Sequence, residues 1–144
     1  MANNNLKKPV NVIVDTKIVQ DGNQETHHFE EKGELSHVNN KDYLRYQETV
    51  NGTNTLVTFK IDEEQTVHLK RSADVQLHLE FNEGQTTASH YETPYGKLQI
   101  GTLAQKVDVT IDDEAGAGHV NVDYELYSGS EKVGDYQIKL QFMA

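Results

Sequence analysis

The chain has no cysteine among its 144 residues. That absence removes disulfides, thiolate metal sites and cysteine nucleophiles together, and leaves a hydrophobic core as the means of holding the fold. Arginine is almost as scarce: Arg45 and Arg71 are the whole supply, and 13 Lys+Arg stand against 23 Asp+Glu for a formal charge of −10. A nucleic-acid partner is therefore not expected, since such partners demand basic stripes and Lys7-Lys8 and Lys70-Arg71 are too short to make one. Long apolar runs are missing too. The amino terminus, Met-Ala-Asn-Asn-Asn-Leu-Lys-Lys, carries neither a signal sequence nor a membrane span, so the cytoplasm is the expected setting and no membrane partner is expected. Nor does any window of helical length carry a 3.6-residue apolar stripe.

Apolar residues make up only 35% of the chain, with a mean hydropathy of −0.71, but they alternate strongly with polar ones. Alternation of this kind belongs to strands with one wet face, not to disorder. Val75, Leu77, Leu79 and Phe81 share one face against Gln76, His78, Glu80 and Asn82, a spacing that a helix would scatter around its circumference. The same pattern runs through Val10, Val12, Val14, Thr16 and Ile18, through Val57, Phe59 and Ile61, through Val120, Val122, Tyr124 and Leu126, and through Gly134, Tyr136, Ile138, Leu140 and Phe142. Leu98 and Ile100 hold one phase while Val107, Val109 and Ile111 hold the other, which predicts a bulge or bend near Gly101.

Turn chemistry separates these runs. Asp21-Gly22, Asn39-Asn40, Asn51-Gly52, Arg71-Ser72-Ala73-Asp74, Asn82-Glu83-Gly84 and Ser128-Gly129 all read as tight turns. In Tyr91-Glu92-Thr93-Pro94-Tyr95-Gly96-Lys97-Leu98, a proline and a nearby glycine mark a corner between two strands. Because nearly all connections are short, successive strands are expected to be antiparallel neighbours in a meander. A flat sheet of that size would leave two open edges, and curling into a closed up-and-down barrel of about eight to ten strands hides them. The expected organisation is a lead-in over residues 1–8 and a single all-β domain over 9–144.

Several of these stretches resemble the YwiB-like family of small bacterial proteins. They are the Tyr91 to Leu98 corner in the form Tyr-x-Thr-x-Tyr-Gly-x-Leu, Val122-Asp123-Tyr124-Glu125-Leu126 with Gly134-Asp135-Tyr136, Lys70-Arg71-Ser72, and Tyr43-Leu44-Arg45-Tyr46-Gln47-Glu48. The likeness is specific mainly between residues 70 and 142, and Ala73-Asp74 stands where the family usually has a glycine. The resemblance implies a calycin-like antiparallel barrel, related in shape to lipocalins and fatty-acid-binding proteins. It implies no catalytic residues.

Candidate chemistry is sparse. There is no Ser-His-Asp order, phosphate-cradling glycine loop or dinucleotide fingerprint, and no HExxH. His27 and His28 are adjacent and so point to opposite faces of a strand, while His68, His78 and His119 fall at polar positions. No metal site or cofactor is expected, and a lone haem-ligating histidine would have to be His90. Arg71 could meet a ligand carboxylate with a two-pronged hydrogen bond, or could simply pack over a barrel end beside an acid. Tyr46, Tyr91, Tyr95 and Tyr124 could line a cavity, or could be core residues with backbone-bonded hydroxyls. Glu48, in phase with Tyr46, would complete a Tyr, Arg and Glu set usable by a cofactor-free lyase or isomerase. The preferred expectation is a binder of a small apolar or carboxylate-bearing ligand near the tyrosine corner and Arg71. The competing ones are a barrel filled by its own side chains that serves as an interaction protein, and the cofactor-free enzyme.

Overall fold

Alternating apolar residues and tight turns produce ten antiparallel strands in a computed structural model that describes residues 6–50 and 52–144. The strands are β1 (Leu6–Gln20), β2 (Asn23–Val38), β3 (Lys41–Val50), β4 (Thr53–Ile61), β5 (Val67–Ser72), β6 (Gln76–Phe81), β7 (Thr86–Thr93), β8 (Gly96–Asp112), β9 (Ala117–Ser128) and β10 (Glu131–Met143). Each pairs with its successor, and β1 also pairs with β10, closing the barrel from Asn11↔Met143 to Val19↔Asp135. Among the described residues there is no helix long and apolar enough to cross a membrane.

The turn signals act as expected. Asp21 and Gly22 take φ of 49° and 79°, and Asn39 and Asn40 take 53° and 64°. Positive φ at both central residues gives hairpin turns whose twist matches the strands they join. Asn51 lies outside the described residues, as do residues 1–5 of the expected lead-in. Leu6, Lys7 and Lys8 are already in β1, paired with His37, Ser36 and Leu35. Arg71 also departs from expectation: it lies within β5, opposite Val57 and Leu77, and the turn begins only after Ser72.

The phase change in β8 is real, but it falls four residues beyond Gly101. Gly101 sits in unbroken register with Ala88 and Tyr127, and the slip against β9 lies between Ala104 and Lys106. Thr102 and Ala104 carry the inward phase of Ile100 onward, both 0% exposed. A buried threonine reads as polar in sequence, which hides that continuity. Its hydroxyl is satisfied across the ladder by Ser89, 3.3 Å away.

The two ends of the barrel differ. At the end carrying the β2–β3, β4–β5, β6–β7 and β8–β9 turns, Leu44, Phe59, Val67, Phe81, Val120 and Phe142 are buried and pack solid. Toward the other end the walls part. The β2–β3 ladder stops at Gly33↔Tyr46, although β2 continues its pairing with β1 to Gln20↔Asn23. Gly33 marks the point of separation, because a Cβ there would lie 2.6 Å from the Arg45 carbonyl oxygen and 3.0 Å from Val12 Cγ2. The β6–β7 ladder behaves oppositely: its pairs Gln76↔Glu92, Leu77↔Tyr91 and His78↔His90 lie at this open end, and it lapses toward the packed one.

The packed interior generates the first prediction. Val122 is 1% exposed, and Val122→Asp would bury a carboxylate without a partner, costing several kcal/mol of a stability of about 5–15 kcal/mol. The variant is expected to lose its cooperative urea transition by far-ultraviolet circular dichroism. Val133→Asp, at a position 40% exposed, is expected to stay within about 0.5 kcal/mol of wild type.

Candidate functional site

Strand register carries one inward row around half the barrel. Reading across the ladders it runs Gly33, Tyr46, Val57, Arg71, Leu77 and Tyr91, and ends at the exposed Leu98. Glu48, two residues beyond Tyr46 on the same face of β3, is 3% exposed. Arg71 reaches across β4 to it: Nη2 donates to Glu48 Oε1 at 2.6 Å. Tyr46 donates its hydroxyl to the other oxygen, Oε2, at 2.8 Å. Burial, and then the adjacent Glu48 charge, push the Tyr46 phenol far above its ordinary value, so it remains a donor at any physiological pH.

Above this network lies a cavity of about 430 Å³ at the end where the walls part. Glu48, Arg71, Tyr91 and Tyr124 line it, and Leu69, Leu77, Leu79, Ile100 and Leu126 supply much of its apolar wall. Tyr124 is 6% exposed and stacks on Tyr136, ring centroids 5.1 Å apart. The Tyr136 hydroxyl accepts from Gln20 Nε2 at 2.7 Å. The Tyr124 hydroxyl, by contrast, has no hydrogen-bond partner among the described residues, and burial pushes its phenol up as well.

Four of the six expected ligand-site residues, Arg71, Glu48, Tyr91 and Tyr124, therefore line one cavity, and Tyr46 lies behind it as the partner of Glu48. Tyr95 does not belong. It is 99% exposed at the tip of the corner, where Thr93 Oγ1 accepts from the Tyr95 N–H at 3.1 Å and donates to the Gly96 carbonyl. The corner is closed by threonine, and only Tyr91 has the inward phase. His90 points out of the barrel, opposite His78 on the exposed face, and does not reach the cavity. His27 and His28 do diverge as their adjacency requires: His27 lines the cavity mouth, while His28 meets Asp15 and Glu30 outside. Glu31, which the sequence did not single out, shares the inward phase of β2 with Phe29 opposite Val14, and its charge reaches Tyr46. The Val12↔Glu31 register locates it, and in sequence its only mark is its spacing from Gly33.

A second polar cluster joins the β2–β3 hairpin to the β8–β9 turn at the packed end. His37 Nδ1 lies 2.8 Å from Asp42 Oδ1 and 3.3 Å from Asp113 Oδ2, and the three groups offer ligand atoms all within 4.8 Å of one another. That spacing could seat a cation, but the imidazole already bridges the two carboxylates as an ion pair would. Desolvation first, then the neighbouring Asp42, raise the Asp113 carboxyl to about 6. The hydrogen bond to Asp42 raises His37 above its usual range.

Two predictions follow from these clusters. Glu48→Ala leaves the Tyr46 hydroxyl and the part-exposed Arg71 without this partner and should cost about 2–3 kcal/mol in urea unfolding, whereas Glu48→Gln keeps one acceptor oxygen for Arg71 and turns its amide NH2 to donate to the Tyr46 oxygen, and should cost roughly 1 kcal/mol. At the packed end the linkage signs of His37 and Asp113 agree. A histidine raised in the fold contributes stability below its unfolded pKa and loses it as pH rises through the folded value. A carboxyl raised from 3.8 to about 6 makes the fold bind more protons than the unfolded chain between those values, so stability again falls as pH rises. The thermal midpoint of Asp113→Asn should therefore vary less than that of wild type between about pH 4 and pH 7; an unchanged slope would mean that Asp113 does not titrate there.

The barrel has counterparts. The family model described as "Domain of unknown function (DUF1934)" matches residues 12–140. The Bacillus subtilis (strain 168) "Uncharacterized beta-barrel protein YwiB" is 27% identical over 124 residues, which span 86% of this chain and 85% of that protein. The crystal structure of ywiB protein from Bacillus subtilis superposes with a TM-score of 0.83, covering 99% of this chain and 96% of that one at 24% identity. The amino-terminal strands, where the sequence resemblance was weakest, thus fall within the structural match. With the match running from β1 into β10, the chain belongs to the DUF1934 family.

Proposed function

We propose that this barrel is a cytoplasmic carrier or sensor that holds a small, largely apolar molecule in the cavity at its open end. One observation carries the reading: a void of about 430 Å³, within the size range of small-molecule sites, whose apolar wall is interrupted by a few convergent polar groups. Two of those groups have capacity to spare. Arg71 spends one N–H on Glu48 and makes no other hydrogen bond among the described residues, and the Tyr124 hydroxyl makes none. An apolar body against Leu69, Leu79, Ile100 and Leu126, with one polar end toward Arg71 and Tyr124, would satisfy both kinds of surface.

The void speaks against a barrel filled by its own side chains. Convergence of Tyr46, Glu48 and Arg71 beside a cavity is the observation that favours an acid–base enzyme, but their chemistry favours binding. The Tyr46 phenol is held protonated, and both oxygens of Glu48 are engaged. A set wired in this way holds Arg71 in place and leaves no free base.

Native mass spectrometry of protein purified gently from its own cells should show an added small mass that is lost on mild denaturation. Leu77→Trp places a ring in the void, so the thermal midpoint should stay within about 4 °C of wild type while the added mass disappears. A wild-type spectrum with only the bare chain, together with no uptake of apolar fluorescent probes, would remove the reading.

A further inference from the structure

Resting on that reading of the cavity, we propose that its occupant is electrically neutral: an apolar molecule whose polar end is an uncharged hydrogen-bond acceptor, such as a ketone, ester or hydroxyl oxygen, and not a carboxylate. Sequence alone makes Arg71 look like a carboxylate receptor, but its charge is already matched. Glu48 lies 2.6 Å from Nη2 and is almost wholly buried. The Tyr46 hydroxyl holds that carboxylate in place from its far side, so Glu48 is not free to swing away when something enters.

The electrostatic balance decides between the two ligand classes. A carboxylate brought to the free N–H groups of Arg71 would be attracted by the guanidinium and repelled by Glu48 at comparable range. The two terms largely cancel, whereas the cost of stripping water from the incoming anion remains. Glu31 adds a second negative charge on the inward face of the neighbouring wall. A neutral acceptor gives up far less hydration and meets the same donors. Among the described residues Arg71, with five N–H groups, uses one, and the Tyr124 hydroxyl, on a side chain more than nine-tenths buried beside the cavity, has no partner. A cationic occupant is disfavoured because the Glu48 charge is already paired with Arg71, the guanidinium itself repels a second cation, and Lys17 is also among the lining residues. Leu69, Leu79 and Leu126 then set the rest of the molecule as hydrocarbon.

The test uses three probes of matched length, decyl alcohol, methyl decanoate and decanoate, titrated into the intact protein at neutral pH by calorimetry. Wild type should bind the two neutral probes at least about tenfold more tightly than the anion, the least that an uncompensated charge should cost. Glu48→Gln, which keeps the geometry and removes the matching charge, should bind decanoate at least about tenfold more tightly than wild type does and narrow or invert the ratio. If that variant does not fold, the wild-type ratio alone decides. Decanoate binding as tightly as the neutral probes overturns the charge rule and leaves the cavity reading standing. Failure of wild type to bind any of the three, with no copurifying mass, overturns both.

Discussion

The fold depends on one ladder. Every strand pairs with its neighbour in sequence except at the seam, where β1 meets β10 with Val12 opposite Phe142, Val14 opposite Leu140 and Thr16 opposite Ile138. Local hairpins cost little chain entropy to close, whereas this pairing brings the two ends of the chain together and carries the largest loop-closure term in the molecule. It is also what turns a sheet with two wet faces into an object with an inside. Before it forms, the apolar phase of each strand is only one face of a ribbon; afterwards those phases confront one another. Closure also abolishes the two edges that a ten-stranded sheet would offer to other chains.

Closure does not by itself fill the interior, and the contrast between the two ends follows from where ladders persist. At the packed end, six aromatic and aliphatic side chains from six strands meet across the axis, among them Phe59, Phe81 and Phe142. Toward the open end β2 leaves β3 at Gly33, whereas β6 and β7 stay paired there from Gln76↔Glu92 to His78↔His90. With no β2–β3 ladder beyond Gly33↔Tyr46, the wall is unlaced on that side of the open end. The cavity lies on the side where that lacing stops, and Tyr46 stands at the last β2–β3 pair.

Much of this was legible in the residues. Period-two patterning in β9 and β10 located the inward face, and Asp21-Gly22 and Asn39-Asn40 located hairpins because positive φ is chemically selective. The phase conflict within β8 was legible as well, but its position was not. Thr102 and Ala104 carry the inward phase with a hydroxyl and a methyl, so the apolar record lapses before the bulge does. Arg71 looked like a turn residue because Ser72-Ala73-Asp74 follows it, yet pairing with Val57 and Leu77 outweighs that local preference. Of the tyrosines at the corner, alternation predicts that Tyr91 and Tyr95 share a face only if the chain stays extended, and Pro94 ends that extension. The ion pair was the least legible feature: Glu48 and Arg71 are 23 residues apart, and only the register of three strands shows that they meet.

That ion pair is also the strongest sign that the open end is shaped for something other than stability. Two charges withdrawn from water recover through mutual attraction only part of the hydration they lose, and apolar side chains of similar volume commonly do as well or better. A barrel selected only to hold together could continue at this level with leucines like those on either side, Leu69 and Leu79, and close the void with them. Instead Glu48 is buried, Tyr46 is committed to orienting it, and Arg71 is held among the residues lining an apolar cavity. Functional sites are where local rules of packing are set aside, and the cost is carried by the rest of the core. Here the well-packed end, with Phe81 against Tyr124 at a ring separation of 4.6 Å, braces the floor on which the polar groups stand. Rigidity at one end is what allows unsatisfied hydrogen-bonding capacity to persist at the other.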